Sequence, residues 1–150
     1  MQKVVRWETP FTDSRWPSAV IVVQPSTDGP YPISAVVAPK GIDGYPKYLV
    51  HFGEVVAFTC MEEMHFPERD TLDAICEIEG LAAYEFLEST WLKSYEKGEY
   101  FLFNTDGSDS ERLRHYLIVG GDNNIEVITK NIPIFETIED SKIMEFEFVI

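Results

Sequence analysis

Glu62-Glu63-Met64-His65 contains a Glu-x-x-His step, a spacing that supplies a carboxylate and an imidazole to di-metal sites in helix bundles. Such a site needs a second step and two further helical carboxylates. The chain has one step and no set of four long helices, so no metal is expected. The step reads instead as the solvated acidic end of a strand, with Met64, His65, Phe66 and Pro67 forming a loop surface usable by a partner. The polar run from Asn104 to Glu111 invites comparison with a calcium loop. Placing Gly107 at the sixth position puts Leu102 first and Leu113 twelfth, where carboxylates are required, so the alignment fails. His51, His65 and His115 are scattered and show no triad order, and Ser89 precedes Thr-Trp outside any Gly-x-Ser-x-Gly elbow. His115, beside Tyr116 on a strand, reads as a hydrogen-bonded structural residue. An acid and base pair such as Glu62 with Glu111 is left open, because sequence spacing does not report spatial separation. No catalytic residue and no cofactor are assigned.

The elements that would position these residues are mostly strands. Leu113, His115, Leu117 and Val119 share one parity and Arg114, Tyr116 and Ile118 the other; Gly120 to Asn124 supplies a turn, and Ile125-Glu-Val-Ile128 returns. This predicts a β-hairpin with one buried and one mixed face. Seven of the nine prolines fall in residues 1–46 and exclude long helices there. Ala19–Val23 and Ile33–Ala38 are β-branched candidate strands that the prolines push toward sheet edges. Tyr48–Phe52 and Glu54–Met61 read as two strands meeting at Gly53, the second so apolar that a central position is expected. Asp70–Gly80 reads as a helix of about nine residues. Leu81–Glu88 tips toward strand, and Ser89–Gly98 toward a second helix capped by Ser89, with Trp91, Leu92 and Tyr95 inward. Glu99–Phe103 is a further apolar run. From Met144 to Ile150 apolar and acidic residues alternate, which predicts a strand with one buried face.

Composition bounds the class. At 150 residues the chain is the size of one domain, with residues 1–46 packed on a 47–150 body, because 46 residues alone lack a sufficient core. Hydrophobic residues at 45% and aromatics at 13% are too abundant for a disordered chain. Cys60 and Cys76 are too few for a disulfide framework and read as buried thiols in a reducing cytosol. The N-terminus lacks the apolar core of a signal peptide, and no run approaches a membrane span, so a cytoplasmic protein is expected. The net charge of −14 is unevenly placed. Residues 1–60 hold five acids and five bases, and residues 61–150 hold 21 acids against 7 bases. If those carboxylates share a face, that face repels nucleic acid and anionic lipid and draws a basic partner over about 8–10 Å, or else the charge serves solubility alone.

The stretch from about 47 to 135 resembles a group of small bacterial proteins of immunity or accessory type in toxin systems. The residues that carry the resemblance are the strand from Val55 to Glu63, the Ser89-x-Trp91-Leu92 step, and the His115-Tyr116-x-Ile118-Val119 hairpin with Ile125-Glu-Val-Ile128, followed by Pro133. The resemblance implies a non-enzymatic partner-binding role and brings no catalytic residues with it.

The expectation is therefore an α+β domain, mainly antiparallel sheet with two short helices. Three functions fit it. The first is an acidic module that neutralises or escorts a basic protein, with Glu62 and Glu63 steering and His65, Phe66, Trp91 and Tyr95 in contact. The second is a small-ligand binder or minor hydrolase whose aromatic pocket uses His115, Tyr116 and a carboxylate; a packed His115 would sink it. The third is a homodimer through the strand 143–150.

Overall fold

The computed structural model describes residues 2–23, 32–39, 47–62, 65–66, 71–76, 78, 80–96 and 112–138. Its elements run β1 (Lys3–Arg6), β2 (Ser18–Val23), β3 (Ile33–Ala38), β4 (Lys47–Gly53), β5 (Ala57–Glu62), α1 (Thr71–Cys76), β6 (Ala83–Glu88), α2 (Thr90–Glu96), β7 (Arg114–Val119), β8 (Asn123–Thr129) and β9 (Ile134–Ile138). The fold is α+β, mostly antiparallel sheet with two short helices. Five strands form one sheet in the order β1-β6-β7-β8-β5, and four form another in the order β2-β3-β4-β9.

The two sheets pack on each other through alternate positions of their strands. Ala83, Tyr116, Ile118, Ile125 and Val127 of the five-stranded sheet meet Ala19, Ile21, Ala35, Val37, Val50 and Phe52 of the four-stranded one. Trp7 and Phe11 fill the margin: the Trp7 ring lies 4.6 Å from Tyr116 and 5.6 Å from Phe135. Each such large side chain contributes about 1.5–3 kcal/mol by leaving water. The Pro-rich first 46 residues thus supply strands to both sheets and aromatics to the core between them.

The other face of the five-stranded sheet carries the helices. Ile75 of α1 packs on Tyr84, Phe86 and Leu117, and Leu92 of α2 on Leu113 and Ile128. Asp73 in the first turn of α1 complements the helix dipole. Beyond α1, Gly80 takes φ +87°, a left-handed conformation glycine adopts freely. The Tyr84 hydroxyl donates to the Ile78 carbonyl at 2.7 Å, tying that exit to β6.

Several expectations are corrected. The run predicted to be a central strand forms β5, which pairs only with β8 among the described residues, and Phe58 is 40% exposed. Conversely β3, expected at an edge, lies between β2 and β4. Both faces of the hairpin β7–β8 are buried, because one meets the second sheet and the other the helices. Cys60 and Cys76 are exposed, not buried. Of the helix expected over Asp70–Gly80, the described residues form α1 at Thr71–Cys76, and Asp70, Glu77 and Glu79 lie outside them. Strands β1 and β9 had no counterpart in the sequence reading. The runs Glu99–Phe103 and 143–150 lie outside the described residues.

Candidate functional site

The most unusual chemistry in the fold sits between the five-stranded sheet and α2. Ser89 follows β6 and caps α2: its Oγ accepts the Leu92 amide at 3.0 Å, and its carbonyl accepts that of Lys93 at 3.0 Å. The same Oγ lies 2.7 Å from His115 Nδ1, and His115 Nε2 lies 2.8 Å from Glu126 Oε1. Antiparallel register brings the last two together. Leu117 pairs with Glu126 and His115 with Ile128, so His115 and Glu126 are diagonal neighbours on one face. Phe86 stacks on the imidazole at 4.5 Å and Trp91 meets it edge-on at 5.3 Å. The contacts are consistent when Nε2–H donates to the carboxylate, Nδ1 accepts the Ser89 proton, and Ser89 accepts Leu92 N–H.

Hydroxyl, imidazole and carboxylate in series are the parts of a nucleophile, its base and an orienting acid. Ser89, His115 and Glu126 are each 1% exposed, however, so in this arrangement the hydroxyl meets no substrate. The relay pins the first turn of α2 to the hairpin. The sequence singles out Ser89 as a helix cap and does not single out Glu126, because the relay joins three segments. Counting register outward from the Gly120–Asp122 turn would have put Glu126 on the His115 face.

A second constellation lies where β2 meets β8 and the β7–β8 turn, with Cys60 of β5 reaching Ile21 of β2. The Asp122 carboxylate accepts the Ala19 amide at 3.0 Å, the Ser18 hydroxyl at 2.8 Å and the Asn123 amide at 2.8 Å, while Asn123 Nδ2 donates to the Ala19 carbonyl at 2.9 Å. Gly121 N donates to the Pro17 carbonyl at 2.8 Å. These side chains bind β2 to the β7–β8 turn. Glu62 pairs with Asn123 and Cys60 with Ile125, and the Cys60 thiol reaches the Ile21 backbone. Burial pushes that thiol up, helped by the Asp122 charge and opposed by the Ile21 hydrogen bond; the sulfur is partly covered although the residue is exposed. Trp16, just before β2, Val20, on the outer face of β2, and Phe58, on the Cys60 face of β5, are 54%, 40% and 40% exposed. Trp16 has φ +56°, a conformation that costs a non-glycine residue roughly 1–2 kcal/mol.

The expected site residues separate into groups. Trp91 and Tyr95 form an edge-to-face pair at 6.1 Å, with Trp91 against His115. Tyr116 points to the opposite face of β7, into the sandwich core, so it shares no pocket with His115. Glu62 is exposed at the end of β5. His65 is exposed, its carbonyl accepting Asn124 Nδ2 at 3.4 Å, and Phe66 packs on the α1 cluster. Glu63 and Glu111 lie outside the described residues. Among the described residues no group of three or more His, Cys, Asp and Glu could hold a metal, and no helix is long and apolar enough to cross a membrane. Comparison with protein-family models, curated proteins and solved structures finds no match.

Proposed function

We propose that this protein is a non-enzymatic, acidic binding module that docks a basic protein, neutralising or escorting it, on the seam between β2 and β5. The observation that carries the reading is the placement of exposed apolar side chains. Two of the five large hydrophobics exposed among the described residues flank this seam, Trp16 beside Gly121 and Phe58 on the Cys60 face of β5, while Val20 lies on the outer face of β2. Trp is the residue most enriched at the energetic centres of interfaces, and Trp16 is presented on strained backbone held in place by the Gly121 hydrogen bond to Pro17. Glu62 and Asp122 supply negative charge beside it, and the net charge of −14 draws a basic partner from solution. The resemblance, which covers about residues 47–135 and so Phe58 and Glu62 but not Trp16, implies the same class of role.

The test uses the full chain as bait in a lysate of its own host at low salt, read by native mass spectrometry, beside Trp16→Asn, Phe58→Ser and Glu62→Lys. Asn tolerates the left-handed backbone, so the first variant removes the indole without adding strain. One basic protein bound to the wild type, released by high salt and lost from all three variants, is the expected result. Capture that is indifferent to the variants, or a wild type that is solely a homodimer, overturns the reading.

A further inference from the structure

We propose that the helix-facing side of the five-stranded sheet contains a second site, one that binds a small protonated amine through Glu126, Asn124 and Thr59. Glu126 Oε2, Asn124 Oδ1 and Thr59 Oγ1 are buried atoms with no hydrogen-bond partner among the described residues. Glu126 and Asn124 are 1% and 2% exposed. They alternate along β8, and Thr59 lies directly across from Glu126 on β5, so all three occupy one face at adjacent positions. Their other polar atoms have partners: Glu126 Oε1 faces His115 Nε2, and Asn124 Nδ2 donates to the His65 carbonyl.

Two of the three orphans are acceptors, and the third, a hydroxyl, can accept. A group that satisfies them together must bring several donors, and beside a buried carboxylate it should bring positive charge. A primary ammonium has three N–H donors and one charge. Water can donate two hydrogens but leaves the carboxylate charge unanswered. Thr59 and Met61 are only partly buried on the edge strand β5, so the site lies one strand from the sheet edge. It is separate from the β2–β5 seam, which uses the opposite face of β5.

The experiment titrates the full chain with methylammonium chloride at constant ionic strength, the balance made up with tetramethylammonium chloride, whose cation has equal charge and no N–H. Thermal unfolding and calorimetry report binding. The expected result is a saturable stabilisation by methylammonium, with the folding equilibrium constant raised about a hundredfold at a hundred times Kd. Thr59→Val, an isosteric change on an edge strand, weakens that binding at least tenfold, and Glu126→Gln abolishes it. An equal response to tetramethylammonium or sodium, no saturable response at all, or unchanged binding by Thr59→Val overturns the proposal.

Discussion

Ser89 joins two requirements in one hydroxyl: it caps α2 and it holds His115 against Glu126. Its removal therefore costs more than a surface cap. Ser89→Ala should lose about 1 kcal/mol for the cap and about 1–2 kcal/mol for the unpaired, buried His115 Nδ1. Ser89→Gly, which keeps most capping ability, should lose mainly the second part. Urea unfolding at neutral pH measures both, and two variants within about 0.5 kcal/mol of the wild type would show that the relay holds nothing in place. On the other face of the same strand, burial pushes the Tyr116 phenol up to about 12, with the Glu85 carboxylate adding to the shift and Arg114 opposing it. A folded-state value above the ordinary 10 means that the phenol stabilises the fold fully below pH 10 and loses that contribution as pH rises through 12. The Arg114 and Glu85 side chains are 27% and 21% exposed, so screening trims the effect to about 2 kcal/mol. The Tyr116 contribution should hold steady from pH 7 to about 9.5 and then decline, in addition to the decline that the raised Cys60 thiol adds from its own lower ordinary value. Tyr116→Phe should flatten that decline, and an equally steep decline in the variant would assign it to other groups.

At the level of elements, the β7–β8 turn decides how the two sheets are joined. A Cβ on Gly120 would lie 2.4 Å from the Asn123 carbonyl oxygen and 2.9 Å from that of Pro17, both backbone atoms that cannot step aside. Gly120→Ala should therefore cost about 2–4 kcal/mol, in the range of a forced backbone shift. Asp122→Ala should cost a similar amount, because three donors lose their acceptor. Equilibrium unfolding with a stability loss below about 1 kcal/mol for both would show that the turn does not fasten β2. The sequence shows that a turn stands here but not that it reaches the other sheet, since contacts from Asp122 to Ser18 and Ala19 span more than a hundred residues. Local signals were legible: Ser89 marks the start of α2, β6 follows Gly80, and hairpin register can be counted. What was hidden is sheet membership. Gly53 reads as a turn between neighbouring strands, yet β4 and β5 belong to different sheets. Apolarity made β5 look central, but strand composition reports compatibility with burial and not burial itself. Glu126 shows the converse: a carboxylate is rarely a core residue, and its position opposite the helices encloses it.

For the whole molecule, the charge has two consequences of opposite sign. All of the −14 comes from residues 61–150, and so many like charges on one chain repel each other in the compact state. Raising salt from about 0.01 M to 0.15 M shortens the screening length from about 30 Å to about 8 Å. The free protein should then become more stable, by on the order of 1 kcal/mol, with its urea midpoint rising. Docking of a basic partner should weaken over the same range, because the attraction that steers it is screened in the same way. Glu62→Lys separates the two roles. It replaces one negative charge by one positive charge at an exposed position, so its folding stability at low salt should equal or exceed that of the wild type while docking is lost. A variant that is no less stable and no longer binds would place recognition on the seam. A variant that loses stability, or binds as before, would leave Glu62 to the fold or to solubility and remove the charge argument from the β2–β5 site.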